Sequence, residues 1–153
     1  MIALVLSYGM TRVVVDTDVV VAATGSRGGA ARGVLRRCLI RDYVPLIGVA
    51  LFTEYEDVFA RESLWRKTSI SKLDREELLA GLASVAEWIE VYFLWRPNLR
   101  DEGDNHLIDL AVAGGAQAIV TRNVRDFNAS ELQFPDLKVL TPQQCLKEFP
   151  CLP

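Results

Sequence analysis

Residues 12–21 read RVVVDTDVVV, and this stretch decides the fold. The three consecutive valines at 13–15 form a β-branched run that is typical of a buried strand. The run ends at Asp16, and Thr17 and Asp18 follow before the next apolar run. An acid directly after a buried strand of an α/β protein lies at the carboxyl edge of the sheet, where ligands bind. The alternative is that Asp16 only caps the next helix, because aspartate is a preferred N-cap.

Length and composition indicate one domain. The chain has 153 residues, half of them hydrophobic, which is enough for one core. No apolar run approaches the roughly 20 residues that span a bilayer, so no membrane segment is expected. We predict that residues 1–11 are a leader or misassigned start outside the core, that residues 12–149 form the domain, and that residues 150–153 are a tail.

Charge and metal-binding residue types narrow the classes of function. The net charge of −3 argues against binding nucleic acid through a global positive field, but it is compatible with a site that handles phosphate through bound cations. The three cysteines lack C-x-x-C spacing and are odd in number, which argues against a disulfide framework and favours a reduced, cytoplasmic setting. The single histidine, His106, lies in a polar stretch and is interpreted as a surface residue.

Hydrophobic periodicity predicts alternating strands and helices. Strands are predicted over residues 13–15, 43–47, 88–95, 118–120 and 139–140. Helices are predicted over residues 17–23, 30–41, 49–60, 62–67, 74–86 and 105–113, with a last helix opened by Thr141-Pro142. Asp74 and Glu77 are predicted to form the capping-box start of their helix, and residues 121–127 a loop. This order predicts an α/β fold with a mostly parallel central sheet.

Acidic residues recur where parallel strands end. Asp16 follows the first strand, Asp104 precedes a helix, and Asp126 lies in the loop after a later strand. Glu54 borders the apolar face of the helix over residues 49–60, which lets it lean toward the sheet edge. Carboxylates gathered at one edge repel one another unless a divalent cation relieves the repulsion. Oxygen ligands without His or Cys select hard ions, so the sequence predicts a Mg²⁺ or Mn²⁺ site for phosphoryl chemistry.

Four stretches together resemble a PIN domain. They are RVVVDTDVVVAA (12–23), LFTEYEDVF (51–59), LRDEGDNHLIDLAVAGGAQAIVTRNVRDF (99–127) and VLTPQQCL (139–146). The sequence is most similar to toxins of toxin–antitoxin pairs related to VapC-type ribonucleases, over residues 12 to about 149. The resemblance implies a three-layer α/β/α fold and a metal-dependent endoribonuclease that cleaves single-stranded RNA. It also implies a homodimer and a partner antitoxin that blocks the acidic pocket.

The resemblance further implies roles for the acids. Asp16 matches the acid that ends the first strand of the family, Glu54 its helical acid, and Asp104 its third acid. Many relatives have aspartate where this chain has Asn123, and Asp126 is the better candidate for the fourth acid here. We therefore predict that Asp16, Glu54, Asp104 and Asp126 are catalytic and ligate the metal.

Other residues are predicted to support these acids. The family commonly has asparagine at the position of Asp18. Hydrogen bonds from neighbouring side chains orient ligating carboxylates. The predicted supporting residues are Asp18, Asp101, Asn123, Thr17 and Thr121. Arg122 and Arg125 are predicted to hold the substrate backbone, with surface ion pairs to Asp126 or Glu131 as the alternative.

Two other functions fit parts of the same pattern. Asp16-Thr17-Asp18 after a strand also resembles the motif of haloacid-dehalogenase-type phosphatases, with Asp16 as the nucleophile. Against that interpretation, Asp104 does not follow a strand directly, and no lysine occupies a strand-proximal position between the motifs. The other alternative is a PIN-like module that binds RNA or a protein without cleaving, because Asn123 weakens the acidic set.

Overall fold

A parallel sheet forms the centre of the computed structural model, which describes residues 10–25, 29–94, 102–128 and 134–150. Its five strands lie in the order β3-β2-β1-β4-β5, and each neighbouring pair is parallel. The strands are β1 (Thr11–Val15), β2 (Tyr43–Ile47), β3 (Glu87–Trp88), β4 (Ala118–Val120) and β5 (Lys138–Leu140). The predicted α/β class with a parallel central sheet is confirmed.

Helices cover this sheet as the two outer layers of a three-layer α/β/α fold. In the described residues they are α1 (Thr17–Ala23), α2 (Gly29–Leu39), α3 (Val49–Ala60), α4 (Lys72–Val85), α5 (Glu102–Gly114), α6 (Val124–Asn128) and α7 (Pro142–Glu148). Helix α2 packs against α4 and α7, and α5 packs across β1, β2 and β4. None of these helices is both long and apolar enough to cross a membrane.

Strand β1 is central to both the core and the topology. Val13 and Val14 are fully buried, because a parallel strand between two others is covered on both faces. The chain leaves β1 toward β2 and later adds β4 on the opposite side of β1. The carboxyl ends of β1 and β4 therefore flank the point where the strand order reverses. In open α/β sheets this is the crevice where ligands bind.

The third strand is present, but its predicted extent over residues 88–95 is wrong. Only Glu87–Trp88 pairs with β2, and residues 89–94 form no regular structure, while Trp95 lies outside the described residues. The pairing stops at the contact between Ile47 and Trp88, because Gly48 already begins the turn into α3. Ile89 still donates its N–H to the Ile47 carbonyl at 2.9 Å, but the described residues after it are not paired as a strand.

Four other local elements also differ from the sequence prediction. Helix α4 starts earlier than predicted, because Ser71 is its N-cap and accepts a hydrogen bond from the Asp74 N–H. Helix α5 begins at Glu102, so Asp104 lies inside its first turn rather than before it. The predicted loop over residues 121–127 contains the short helix α6. The helix predicted over residues 62–67 is a single 3-10 turn, Glu62–Leu64.

Candidate active site

Two buried polar residues meet at the crevice between β1 and β4. Asp16 directly follows β1 and Thr121 directly follows β4, and both are buried. The Thr121 hydroxyl donates a hydrogen bond to Asp16 Oδ2 at 2.8 Å. Asp16 also holds the N-cap position of α1, but its side chain makes no capping hydrogen bond. Helix capping therefore does not account for the position of the Asp16 carboxylate.

Burial makes the charge on Asp16 costly. Only 7% of the residue is exposed, and burial raises the pKa of its carboxyl group above the usual value. The nearby negative charge of Glu54 raises this pKa further, whereas the hydrogen bond from Thr121 lowers it. Asp16 and Glu54 thus repel each other when both are ionised, and a bound cation would relieve that repulsion.

Glu54 reaches the same crevice from α3. Its Oε1 accepts a hydrogen bond from the Thr17 hydroxyl at 2.7 Å, and Thr17 is the residue after Asp16. The neighbouring Tyr55 hydroxyl donates to the carbonyl of Val15, the last residue of β1. Helix α3 is therefore attached at two points to the end of the strand that carries Asp16. The prediction that Glu54 leans toward the sheet edge is confirmed.

His106 completes this group, and the prediction that it is a surface residue is wrong. Its side chain is only 19% exposed, and its Nε2 lies 2.7 Å from Glu54 Oε2. This hydrogen bond is the main reason that the pKa of Glu54 is lowered. The sequence offered one signal, because His106 follows Asp104 by two residues. Its partner is on another helix, so spacing along the chain did not indicate the pair.

Asp18 lies beside these residues and contacts the loop after β4. Its carboxylate accepts the Arg122 backbone N–H, at 3.1 Å for Oδ2 and 3.4 Å for Oδ1. Burial, and then the charge of Asp16, raise the pKa of Asp18 to about 6. The Asn123 N–H donates to the Thr121 hydroxyl at 3.1 Å, which links the loop to the Asp16 contact. The structure thus brings together Asp16, Thr17, Asp18, Glu54 and Thr121 from the predicted set.

The other predicted residues lie near the start of α5 and on the segment after β4. Asp104 is half-buried in the first turn of α5, and Asp126 is exposed on α6 with its N–H donating to the Asn123 carbonyl. Arg122 and Arg125 are exposed, as is Asn123. Asp101 lies outside the described residues. Two polar residues of α5 that the sequence analysis did not select are buried, Asn105 and Asp109.

The donor chemistry of the site fits a hard cation. In the described part of the chain, no three Asp, Glu, His or Cys side chains are grouped closely enough to hold a metal ion as they stand. The carboxylates of Asp16 and Glu54 nevertheless share one crevice, and each interacts electrostatically with the other. Each carboxylate oxygen keeps a lone pair after accepting one hydrogen bond. Oxygen donors of this kind suit Mg²⁺ or Mn²⁺.

The raised pKa of Asp18 predicts a pH-dependent cost in stability. The unfolded chain loses this proton near the ordinary value of 3.8, but the folded chain holds it until about pH 6. The protonated Asp18 side chain therefore makes its full contribution to folding stability below pH 3.8, and that contribution disappears as the pH rises through about 6. We expect Asp18→Asn to raise the free energy of unfolding relative to the parent at pH 8, and by less at pH 5.

Urea denaturation of both proteins at the two pH values measures this difference. Asp57→Asn is the matched control, because Asp57 is exposed on α3 and should change stability little at either pH. An Asp18→Asn variant whose advantage over the parent is the same at pH 5 and pH 8 would contradict the prediction.

The profile of a family described as PIN domain matches residues 12–125, which is more than half of the chain. Among solved structures, the fold is similar to a chain in the crystal structure of VapBC2 from Rickettsia felis bound to a DNA fragment from their promoter. The TM-score is 0.58 at 16% identity, and the match covers 84% of this chain and 97% of that chain. A likeness at this identity concerns the fold alone. No curated protein sequence matches significantly.

Proposed function

The chain belongs to the PIN domain family, and on that premise we propose that it is a metal-dependent endoribonuclease that cleaves single-stranded RNA. The observation that carries the proposal is the meeting of Asp16 and Glu54 at the point where the strand order reverses. Both carboxylates are held by hydroxyl donors, Thr121 and Thr17. Such an arrangement is suited to holding a cation against a phosphodiester.

The proposed mechanism assigns a task to each residue of the site. Asp16, Glu54, Asp104 and Asp126 would hold Mg²⁺ or Mn²⁺, which when bound activates water and stabilises the leaving oxygen. Thr121 fixes the rotamer of the Asp16 carboxylate through its hydrogen bond. Asp18 steadies the loop after β4 by accepting the Arg122 N–H. We assign Asp101 and Asn123 to the same supporting set.

The two arginines are proposed to bind the RNA backbone. Arg122 and Arg125 are exposed on the loop and helix that follow β4, the strand that delivers Thr121 to the site. Arg122 also lines a cavity of about 590 Å³ together with Thr141 and Gln143. Guanidinium groups so placed can contact phosphates on either side of the cleaved bond.

We further propose that this nuclease is the toxin of a toxin–antitoxin pair. The support is the likeness in fold to a chain of the VapBC2 complex, together with family membership. A cognate antitoxin would block the acidic crevice, and the toxin would act in the cytoplasm as a homodimer. Membership of the PIN family favours a nuclease over the haloacid-dehalogenase-type phosphatase.

Metal dependence is the direct test. We expect the purified chain to cut a labelled single-stranded RNA in the presence of Mg²⁺ or Mn²⁺, to stop in EDTA, and to resume with excess metal. The Asp104→Asn variant should not cut, because the third predicted ligand is lost. Cleavage is followed by gel electrophoresis of the labelled fragments.

Three other outcomes would contradict the proposal. Cleavage that continues undiminished in EDTA would show that the reaction does not require a metal. Turnover of small phosphate monoesters that RNA does not inhibit indicates the phosphatase alternative. RNA binding without cleavage under every metal condition indicates the non-catalytic module.

A further inference from the structure

We infer that His106 is a positioning residue, which holds the Glu54 carboxylate in the orientation needed to ligate the metal. The inference rests on the proposed function, because it concerns one of the proposed ligands. It adds a residue to which neither the resemblance nor the acidic set assigned a role. Its basis is the contact of 2.7 Å between His106 Nε2 and Glu54 Oε2, which joins α5 to α3.

The direction of this hydrogen bond follows from the chemistry of the two groups. An ionised carboxylate only accepts, so Nε2 must carry the proton and donate. His106 Nδ1 is buried and has no hydrogen-bond partner among the described residues. Nε2 is thus the ring nitrogen whose proton is used in a hydrogen bond. The imidazole is therefore set to donate to Glu54.

Two donors from two different helices hold the Glu54 side chain. Thr17 on α1 donates to Oε1 and His106 on α5 donates to Oε2, both at 2.7 Å. A glutamate that is held at one oxygen can still rotate, whereas one held at both oxygens has a single orientation. Thr17 is also the neighbour of Asp16, so this clamp sets the position of one acid relative to the other.

The proposed role predicts a specific pattern of metal affinity. Residues that orient a metal ligand typically cost about 10- to 100-fold in affinity when they are replaced. We expect His106→Leu to weaken Mn²⁺ binding by a factor in this range. His106→Gln should restore most of the affinity, because the glutamine amide can place an N–H donor near the position of Nε2. Glu54→Ala should weaken binding at least as much as His106→Leu.

A double-mutant cycle separates positioning from general structural support. If His106 acts through Glu54, then His106→Leu should cause no further loss of Mn²⁺ affinity when Glu54→Ala is already present. Free Mn²⁺ counted by electron paramagnetic resonance gives the dissociation constants without any RNA. Because His106 is the only histidine, its ring ¹⁵N signals also report directly on the Nε2 hydrogen bond, and they should change in Glu54→Ala.

Control variants make each outcome decisive. Glu56→Ala changes an exposed glutamate on the same helix and should bind Mn²⁺ like the parent. Should His106→Leu not fold, His106→Asn replaces it, because asparagine is too short to reach Glu54 and should lose affinity where glutamine does not.

The inference and the proposed function can fail separately. If Asp16→Asn loses Mn²⁺ binding but His106→Leu binds like the parent, the inference is overturned and the nuclease proposal stands. The inference is likewise overturned if His106→Leu lowers the Mn²⁺ affinity by the same factor in the parent and in the Glu54→Ala background. If Asp16→Asn and Glu54→Ala both bind Mn²⁺ like the parent, the metal site and the inference fall together.

Discussion

The Asp16→Asn variant is expected to lose RNA cleavage while becoming more stable. Asparagine keeps the shape of the side chain and an oxygen that accepts the Thr121 hydrogen bond, so the local structure should persist. It removes the negative charge that we propose binds the metal. The decrease in cleavage rate should exceed the roughly 10- to 100-fold effect of replacing a residue that only orients a metal ligand. Gel assays at saturating Mg²⁺ compare the two rates.

The gain in stability follows from the raised pKa of Asp16. Burial and the charge of Glu54 keep the proton on the folded carboxyl group at pH values where the unfolded chain has lost it. The contribution of Asp16 to stability is therefore complete below the ordinary pKa of 3.8 and is lost as the pH rises through the higher folded value. At pH values above that folded pKa and without metal, the ionised group costs stability, and asparagine avoids that cost.

Thermal unfolding in EDTA tests this second half of the prediction. Asp57→Asn on the exposed side of α3 is the control for a lost charge outside the crevice, and it should retain both cleavage and stability. Added Mn²⁺ should raise the melting temperature of the parent by mass action, but not that of Asp16→Asn. An Asp16→Asn protein that cuts RNA at the parental rate would refute the assignment of the active site.

Local sequence patterns correctly predicted the helices and strands whose own residues carry both the periodicity and the end signals. The bounds of β2, α3 and β4 agree with the sequence prediction, because each is a continuous run of apolar or helix-periodic residues next to a clear end signal. Gly48 marks the boundary between β2 and α3. The last helix was likewise predicted to open at Thr141-Pro142, and Thr141 forms a full capping box there with Gln144.

The failures share a physical cause, which is that pairing between distant segments leaves no local trace. The alternation after Trp88 resembles a strand, but whether it pairs depends on where β2 ends. Ile89 and Val91 pack against the core, whereas Tyr92 is 88% exposed. Side-chain burial can therefore alternate in a segment that is not paired as a strand.

The residues of the candidate site likewise divide into those that local sequence patterns predict and one that they do not. Asp16 was predicted because an acid at the end of a buried strand has a fixed place in a parallel sheet, and Glu54 because the helical wheel places it at a border. His106 was missed because its partner is 52 residues away, on another helix. Only the folded chain reveals that a histidine in a polar stretch faces an acid rather than solvent.

Replacing Tyr55 with alanine should cause the largest loss of stability among the predicted substitutions. The ring is buried, and its hydroxyl donates to the carbonyl of Val15 at the end of β1. Burial raises the pKa of this hydroxyl well above its usual value, so it remains a donor at neutral pH. Truncation of a buried aromatic residue typically costs about 3–5 kcal/mol. The loss appears as a lower urea midpoint with an unchanged slope.

Tyr55→Phe separates the packing of the ring from the attachment of α3 to β1. Phenylalanine keeps the ring but leaves the buried Val15 carbonyl without its donor, which costs about 1–3 kcal/mol. Glu54 precedes Tyr55 and Asp16 follows Val15, so this hydrogen bond joins the segments that carry the two acids. We therefore expect Tyr55→Phe to weaken Mn²⁺ binding as well as stability.

Tyr92→Ala is the control for the loss of a tyrosine, because Tyr92 is 88% exposed and should change stability by less than about 0.5 kcal/mol. A Tyr55→Phe protein with parental stability and parental Mn²⁺ affinity would show that the hydroxyl does not attach the helix to the strand. A loss of stability alone would show that Thr17 and His106 suffice to place Glu54. Reduced Mn²⁺ affinity in a variant that remains folded would mean that the geometry of the acids depends on how firmly α3 is joined to the end of β1.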